Sequence, residues 1–282
     1  MSLTAKAFAK INLFLDITGK RDNGYHELDS VFQSVSLFDE IVLDLKEEGI
    51  EILCDNEELL GDNNIVYKAC ELFFKETFYT GGAFIRIKKN VPVAAGLAGG
   101  SADAAATLLL LNKAFNNAVS FNRLCELGEQ LGADVPFCLK GGTARVKGIG
   151  EMISPMKTPS LHYVLLKERE KQSTGKMFAI IDEIEHNHND GIDDLIDGLN
   201  HSDVNLISKN LFNAFAYCWD FDDMTKPFNE FSYKGVFLSG SGPTVCALFD
   251  NANDALNCAN KLREKGLNAF YASSVDCGVE IV

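Results

Sequence analysis

The sharpest chemical signal in this chain is one run of small residues, Pro92-Val93-Ala94-Ala95-Gly96-Leu97-Ala98-Gly99-Gly100-Ser101-Ala102-Asp103. A strand-like segment, AFIRIKK (83–89), leads into it, and an alanine-rich stretch of strong helix formers, ADAAATLLLLNKAF (102–115), leaves it. Small residues let a backbone approach a ligand closely and adopt positive φ. A helix start adds unpaired N–H groups and the positive end of the helix dipole. Together they predict a polyphosphate site. Ser101 is a candidate helix cap, phosphate contact or Mg2+ ligand, and Asp103 is placed to favour the dipole or hold a metal-bound water. A plainer reading also fits, a glycine-containing turn closed by an ordinary N-cap. Other nucleotide patterns are absent: Gly19-Lys20 and Gly175-Lys176 are followed by Arg21 and Met177, so no Gly-x4-Gly-Lys-Ser/Thr loop exists. Neither the Rossmann glycine fingerprint nor the protein-kinase segments occur.

These residues need a frame. The first 55 residues read mainly as strands, in AKAFAKINLFLDI (5–17) and IVLDLKEEGIEILC (41–54). Asn63-Asn64 precedes a helical stretch over 65–78, with Ile65, Ala69, Leu72 and Phe73 expected on one face. A second helix, FNRLCELGEQLG (121–132), ends on Gly132 as a natural C-cap, and GGTARVKGIGE (141–151) reads as strand, turn and strand edge. Pro155 and Pro159 flank an expected boundary between domains over 1–157 and 158–282. Beyond it a strand over 162–168 is followed by helical stretches near 175–185, 192–199 and 203–219, strands over 234–240 and 244–250, a helix over 253–265 and two terminal strands. The alternation predicts an α+β fold.

At roughly 100–200 residues per domain, 282 residues suit two domains and a large core without disulfides. The net charge of −14 argues against nucleic acid or an anionic membrane as general partners, but a local cradle of N–H groups still binds phosphate on an acidic protein. The eight cysteines form no Cys-x-x-Cys pair, and the N-terminal segment lacks a signal-peptide core. They are expected to be buried thiols in a reducing cytoplasm. No apolar run reaches membrane-spanning length. His186 and His188 fall in an Asn/Asp-rich stretch read as a solvated loop.

The glycine run, PVAAGLAGGSADAAA, resembles the second motif of the GHMP kinases. Ala9-Lys10-Ile11-Asn12-Leu13 is similar to the first motif of that family, and Leu238-Ser239-Gly240-Ser241-Gly242-Pro243-Thr244 to the third. Further segments narrow the resemblance: KINLFL, Gly19-Lys20-Arg21, GYHELDSVFQ (24–33), Gly132-Ala133-Asp134-Val135-Pro136-Phe137 and Gly148-Ile149-Gly150-Glu151. They resemble those members whose acceptor alcohol carries a cytidine diphosphate group, on a route to isoprenoid precursors. Ala98 stands where many relatives carry glycine, and Ala102-Asp103 replaces the Ser-Asn of some.

The resemblance implies a two-domain fold, with an N-terminal ribosomal-protein-type α/β domain, a C-terminal ferredoxin-like domain and the site in the cleft between them. It implies ATP with Mg2+, a small-molecule acceptor, and a monomer or homodimer. Asp134 resembles the carboxylate that takes the acceptor hydroxyl's proton, and Lys10 the cation beside it; on local sequence alone Asp134 is equally a loop residue before proline, and Lys10 a solvent-reaching strand lysine. The pair is expected within ~8 Å, since such coupling acts at about 4–6 Å. Residues 92–103, with Asn64, Ile65 and Lys89 near adenine and ribose, resemble the ATP site. Tyr25 and Phe178 resemble an aromatic pair that sandwiches cytosine, with His26 on the base's polar edge. Asn12 and Thr174 resemble polar substrate contacts, Phe32 and Ile149 pocket walls, and Gly240 and Ser241 a second glycine turn that buttresses the phosphate loop and reaches the substrate. The alternatives are another GHMP small-molecule kinase, such as homoserine kinase, or a nucleotide-binding module on the same fold that has lost catalysis.

Overall fold

The computed structural model describes residues 2–170, 173–184 and 188–282, and His186 lies outside them. The first half runs β1 (Leu3–Lys20), β2 (His26–Lys46), β3 (Ile50–Cys54), α1 (Ile65–Thr77), β4 (Gly82–Lys88), α2 (Gly99–Ala114), α3 (Phe121–Leu131), α4 (Val135–Lys140), β5 (Thr143–Gly148) and β6 (Met152–Met156). β1 and β2 form a long antiparallel pair closed by a turn at Gly24, whose φ of 85° suits a residue without a side chain. β2 changes partner along its length. Leu28–Gln33 pairs with β5, and Glu40–Lys46 pairs with β4. β3 lies parallel beside β4, and β6 lies antiparallel beside β5.

The helices bury apolar stripes on this sheet. α2 is buried along most of its length, from Ala102 to Asn112, which is why it is built of apolar residues, small alanines in its first half and leucines in its second. In α1 the inward face is Val66, Ala69, Cys70, Phe73 and Phe74. Leu72, expected there, is half-buried at the side of that stripe, because the stripe is centred one residue later.

The second half runs β7 (His162–Leu166), α5 (Thr174–Ile181), α6 (Ile192–His201), α7 (Val204–Lys209), β8 (Phe212–Asn213), α8 (Phe221–Thr225), β9 (Gly235–Leu238), β10 (Val245–Phe249), α9 (Ala252–Glu264), β11 (Ala269–Ser273) and β12 (Val279–Ile281). Its antiparallel sheet has the order β11-β7-β10-β9. A strand–helix–strand–strand–helix–strand chain with that order is the ferredoxin-like arrangement. Two short strands return to the first sheet: β8 pairs parallel with β1 at Phe14 and Leu15, and β12 pairs antiparallel with β1 at Ala5–Ala7.

One expected helix, 203–219, is not continuous. α7 stops at Lys209, Phe212–Asn213 becomes β8, and a 3-10 turn follows over Ala214–Cys218. The cause is tertiary. Asn213 is buried, its Nδ2 donates to the carbonyls of Leu238 (2.7 Å) and Gly240 (2.9 Å), and its Oδ1 caps Phe215 N. Pro155 sits inside β6 opposite Ala144, in a strand that pairs only with β5.

Candidate active site

The run over 92–98 leaves the end of β4 as an irregular turn and enters α2 at Gly99. Ala94, Gly96 and Ala98 all have positive φ (53°, 79° and 56°). Ala98, not Ser101, is the N-cap, and it offers no side-chain bond. The first-turn N–H groups of Gly99, Gly100 and Ser101 therefore have no capping side chain, the condition an anion site requires.

The third-motif turn is pressed against this loop, backbone to backbone. Ser239 Oγ donates to Gly96 O (3.0 Å), and Thr244 N to Ala95 O (3.3 Å). A Cβ on Gly96 would lie 2.3 Å from Ser239 O, so only glycine fits. Gly240 N donates to Asn12 Oδ1 (2.9 Å), which also accepts from Lys10 Nζ (2.8 Å). Asn12 Nδ2 donates to Ser30 Oγ (3.1 Å). Asn12 is fully buried, with its Oδ1 accepting two bonds and its Nδ2 donating one, so it positions Lys10, and it also lines the cavity described below.

Lys10 lies at an irregularity in β1, where the pairing with β2 shifts register. Its N–H donates to Leu97 O (3.0 Å), so the strand that carries the ammonium is tied to the phosphate loop. The side chain is 5% exposed, with Nζ 4.4 Å from the centre of the Phe32 ring and 3.6 Å from Asp134 Oδ2. Asp134 precedes α4, a helix absent from the sequence reading, and Pro136 occupies its first turn, where a missing N–H is harmless. Its carboxylate caps nothing and is one-third exposed, available to the cleft.

One cavity of about 930 Å3 joins these parts. Its wall includes Lys10, Asp134, Pro92–Ser101, Asp103, Asn64, Ile65 and Lys89 on one side, and Tyr25, His26, Phe32, Ile149, Thr174, Phe178, Gly240 and Ser241 on the other. Ala102 is fully buried in the core and does not line it. Asn64 is the N-cap of α1, its Oδ1 accepting from Val66 N and its Nδ2 donating to Leu59 O. Lys89 turns beneath α2 and pairs with Asp39 and Asp103. Burial and the Asp39 carboxylate push the Asp103 carboxyl well above its usual range, against the pull of Lys89.

At the acceptor end, Phe178 stacks on His26 (4.5 Å between centroids, 18° between planes) and meets Phe215 edge-on. One face of Phe178 is therefore covered by the imidazole; Phe178 and Tyr25, the latter 59% exposed, both line the cavity. His26 Nε2 lies 2.6 Å from Asp182 Oδ1, and Lys20 binds the other Asp182 oxygen at 2.5 Å. Lys20, first, and His26 hold the Asp182 carboxyl below its usual range. Lys20 and Asp182 both line the cavity. The sequence reading missed them, because nothing local in Ala179-Ile180-Ile181-Asp182 marks a partner for residues 20 and 26. Ile149 sits in a turn held by Glu151, whose carboxylate accepts from Ile149 N and from Arg21.

Two glycine turns, a helix N-terminus and a lysine–carboxylate pair in one cleft define a small-molecule phosphotransferase. Residues 64–142 match the family profile "GHMP kinases N terminal domain", and residues 195–268 match "GHMP kinases C terminal". A 4-diphosphocytidyl-2-C-methyl-D-erythritol kinase of Clostridium beijerinckii is 38% identical, covering 96% of this chain and 99% of its own. One of Thermoanaerobacter pseudethanolicus is 33% identical, covering 99% and 98%. A crystal structure of 4-(cytidine 5'-diphospho)-2C-methyl-D-erythritol kinase superposes with a TM-score of 0.80 at 27% identity, over 96% of this chain and 98% of that one. A homoserine kinase from Cytophaga hutchinsonii shares the fold, with a TM-score of 0.76 at 19% identity over 100% and 97%. The chain belongs to the GHMP kinases and, within them, to the 4-diphosphocytidyl-2-C-methyl-D-erythritol kinases.

Proposed function

We propose that the protein transfers the γ-phosphoryl group of ATP to the 2-hydroxyl of 4-(cytidine 5'-diphospho)-2-C-methyl-D-erythritol, in the methylerythritol-phosphate route to isoprenoid precursors. The observation that carries the reading is the Lys10–Asp134 approach of 3.6 Å on the wall of the cavity that also contains the start of α2. Phosphoryl transfer depends on positioning and charge neutralisation. The N–H groups of Gly99–Ser101 hold the β- and γ-phosphates. The acceptor oxygen attacks phosphorus, its proton passes to Asp134 Oδ2, and the bond to the ADP oxygen breaks. Lys10, fixed by Asn12, keeps Asp134 ionised and offsets charge on the moving group.

The Ser101 hydroxyl and the Asp134 carboxylate are oxygen donors on the cavity wall and suit a hard cation arriving on the nucleotide phosphates, whereas Asp103 is engaged by Lys89. When bound, Mg2+ supplies neutralisation of phosphate charge. Tyr25, His26, Thr174, Phe178 and Ile149 form the cytidine end. Asn64 and Ile65 serve the adenine end. We assign residues 1–157 and 158–282 as the two domains. The eight free cysteines, most of them buried, support a reducing cytoplasm. Among the described residues, no helix is long and apolar enough to cross a membrane. The test is ADP release measured in parallel with the cytidine substrate, homoserine and mevalonate. Turnover of the cytidine substrate alone is expected, and turnover of either competitor alone overturns the assignment.

A further inference from the structure

Beneath the phosphate loop lies a set of charges, two of them on the cavity wall, that the chemistry above does not use. Asp39 is fully buried in β2, and Lys89 and Asp103 are nearly so. Lys89 Nζ bridges the two carboxylates, at 2.5 Å from Asp39 Oδ2 and 2.7 Å from Asp103 Oδ2. The other Asp39 oxygen accepts from two consecutive backbone groups, Asn90 N (2.6 Å) and Val91 N (2.8 Å). These are the residues through which the chain enters the loop. Asp103 stands on α2, just after the loop has become helix.

The cluster thus holds both ends of the 92–98 loop to one strand of the first sheet. It also lies close beneath the anion cradle: a Cβ on Gly99 would be 3.3 Å from Lys89 Nζ. Buried ion groups contribute little net stability over apolar packing, but they fix one geometry, because any displacement leaves a charge or an N–H without its partner. The entry is also held by Lys89 N on the Asp55 carboxylate and by Asn90 Nδ2 on Phe38 O, but Asp39 is the group that ties it to the start of α2 as well. Its own residues are small, and three of them hold positive φ.

We propose that Asp39, through Lys89 and Asp103, is a positioning residue for the nucleotide phosphates: the cluster sets the path of the loop and hence the aim of the Gly99–Ser101 N–H groups. The inference rests on the assignment of those N–H groups to ATP. It makes Asp39 matter for ATP and not for the acceptor, although Asp39 does not itself line the cavity and reaches it only through Lys89.

The experiment compares Asp39→Ala, Asp39→Asn and Asp103→Asn by equilibrium binding of Mg-ATP, by KM for each substrate, and by urea unfolding. Asn at 39 keeps an oxygen for the Asn90 and Val91 N–H groups, and Ala does not. Asp39→Ala is expected to weaken ATP binding about ten-fold or more, with acceptor KM within about two-fold, and Asp39→Asn to recover most of the loss. Asp103→Asn, which releases only the exit of the loop, weakens ATP binding by a smaller factor of about three. Should Asp39→Ala fail to fold, Asp39→Asn and Asp103→Asn decide: no change in ATP affinity in either overturns the proposal. Equal loss of affinity for ATP and acceptor, tracking the urea midpoint, also overturns it by making the cluster merely structural. If wild-type protein itself does not bind ATP, the nucleotide reading has failed instead, and the two failures stay distinct.

Discussion

Gly96→Ala probes the contact between the two glycine turns. Gly96 has a φ of 79°, and an alanine there would place Cβ 2.3 Å from Ser239 O and 2.9 Å from Gly242 O, both backbone atoms. The left-handed conformation costs a non-glycine residue about 1–2 kcal/mol. Overpacking against backbone that cannot rotate away adds about 1–3 kcal/mol. Contact is restored only if the turns part by about 1 Å, since close-packed interiors have no slack. That motion carries the N–H groups of Gly99–Ser101 with it. A misplacement of this size typically costs ~100-fold in rate. The expected result is a fall of about that size in kcat/KM for ATP, with acceptor KM little changed, read from initial rates at saturating acceptor. The control is Gly266→Ala, at φ 83° with no atom within 4 Å of the new Cβ. It bears the conformational strain of about 1 kcal/mol alone and leaves kinetics unaltered. A Gly96→Ala enzyme with kcat/KM for ATP within about two-fold of wild type would refute the argument, because the geometric overlap would then carry no functional cost.

Asp134→Asn removes the proton acceptor and should lower kcat about 10²–10⁴-fold while ATP affinity, measured by equilibrium binding, holds. Tyr25→Ala should raise KM for the cytidine substrate ~10-fold through lost stacking, and an unchanged KM removes Tyr25 from the pocket. Ala98→Gly relieves a φ of 56° at the N-cap of α2, so urea unfolding should report a gain of about 0.5–1 kcal/mol. Asp182 is held below its usual 3.8 by Lys20 and His26, so its contribution to stability is present above that value and is lost as pH falls through its lower folded value. The difference in urea midpoint between wild type and Asp182→Asn should therefore shrink below pH ~4, and a constant difference excludes the ionic tie.

Much of this arrangement was readable in the amino-acid order where local chemistry and final environment agree. Small residues between a strand and an alanine-rich helix make a tight turn in any context, and the three motif segments do meet in one cleft. The misreadings fall where distant groups decide. Ser101 has the chemistry of a cap, but the turn closes three residues earlier, at Ala98. Lys89, expected near adenine and ribose, does line the cavity beside Asn64 and Ile65, but its ion pairs with Asp39 and Asp103 had no local signal. The 203–219 helix is interrupted because β1 and the third-motif turn both claim Phe212 and Asn213. Tyr25 and Phe178 both line the cavity as expected, but the stacking of Phe178 on His26, which Asp182 restrains from a position more than 150 residues downstream, was not readable. No window of sequence contains both partners of that contact.

The antiparallel pairing of Val279–Ile281 with Ala5–Ala7 has a consequence for how the protein is made. The strand bearing Lys10 is made long before the neighbour that borders it at Ala5–Ala7, since Lys6 and its partner Glu280 lie 274 positions apart. Until then that border presents open N–H and C=O groups, a template for wrong partners. That margin of the catalytic strand is therefore completed only once residues 279–281 have been made, and a chain truncated before residue 279 should need protection along it.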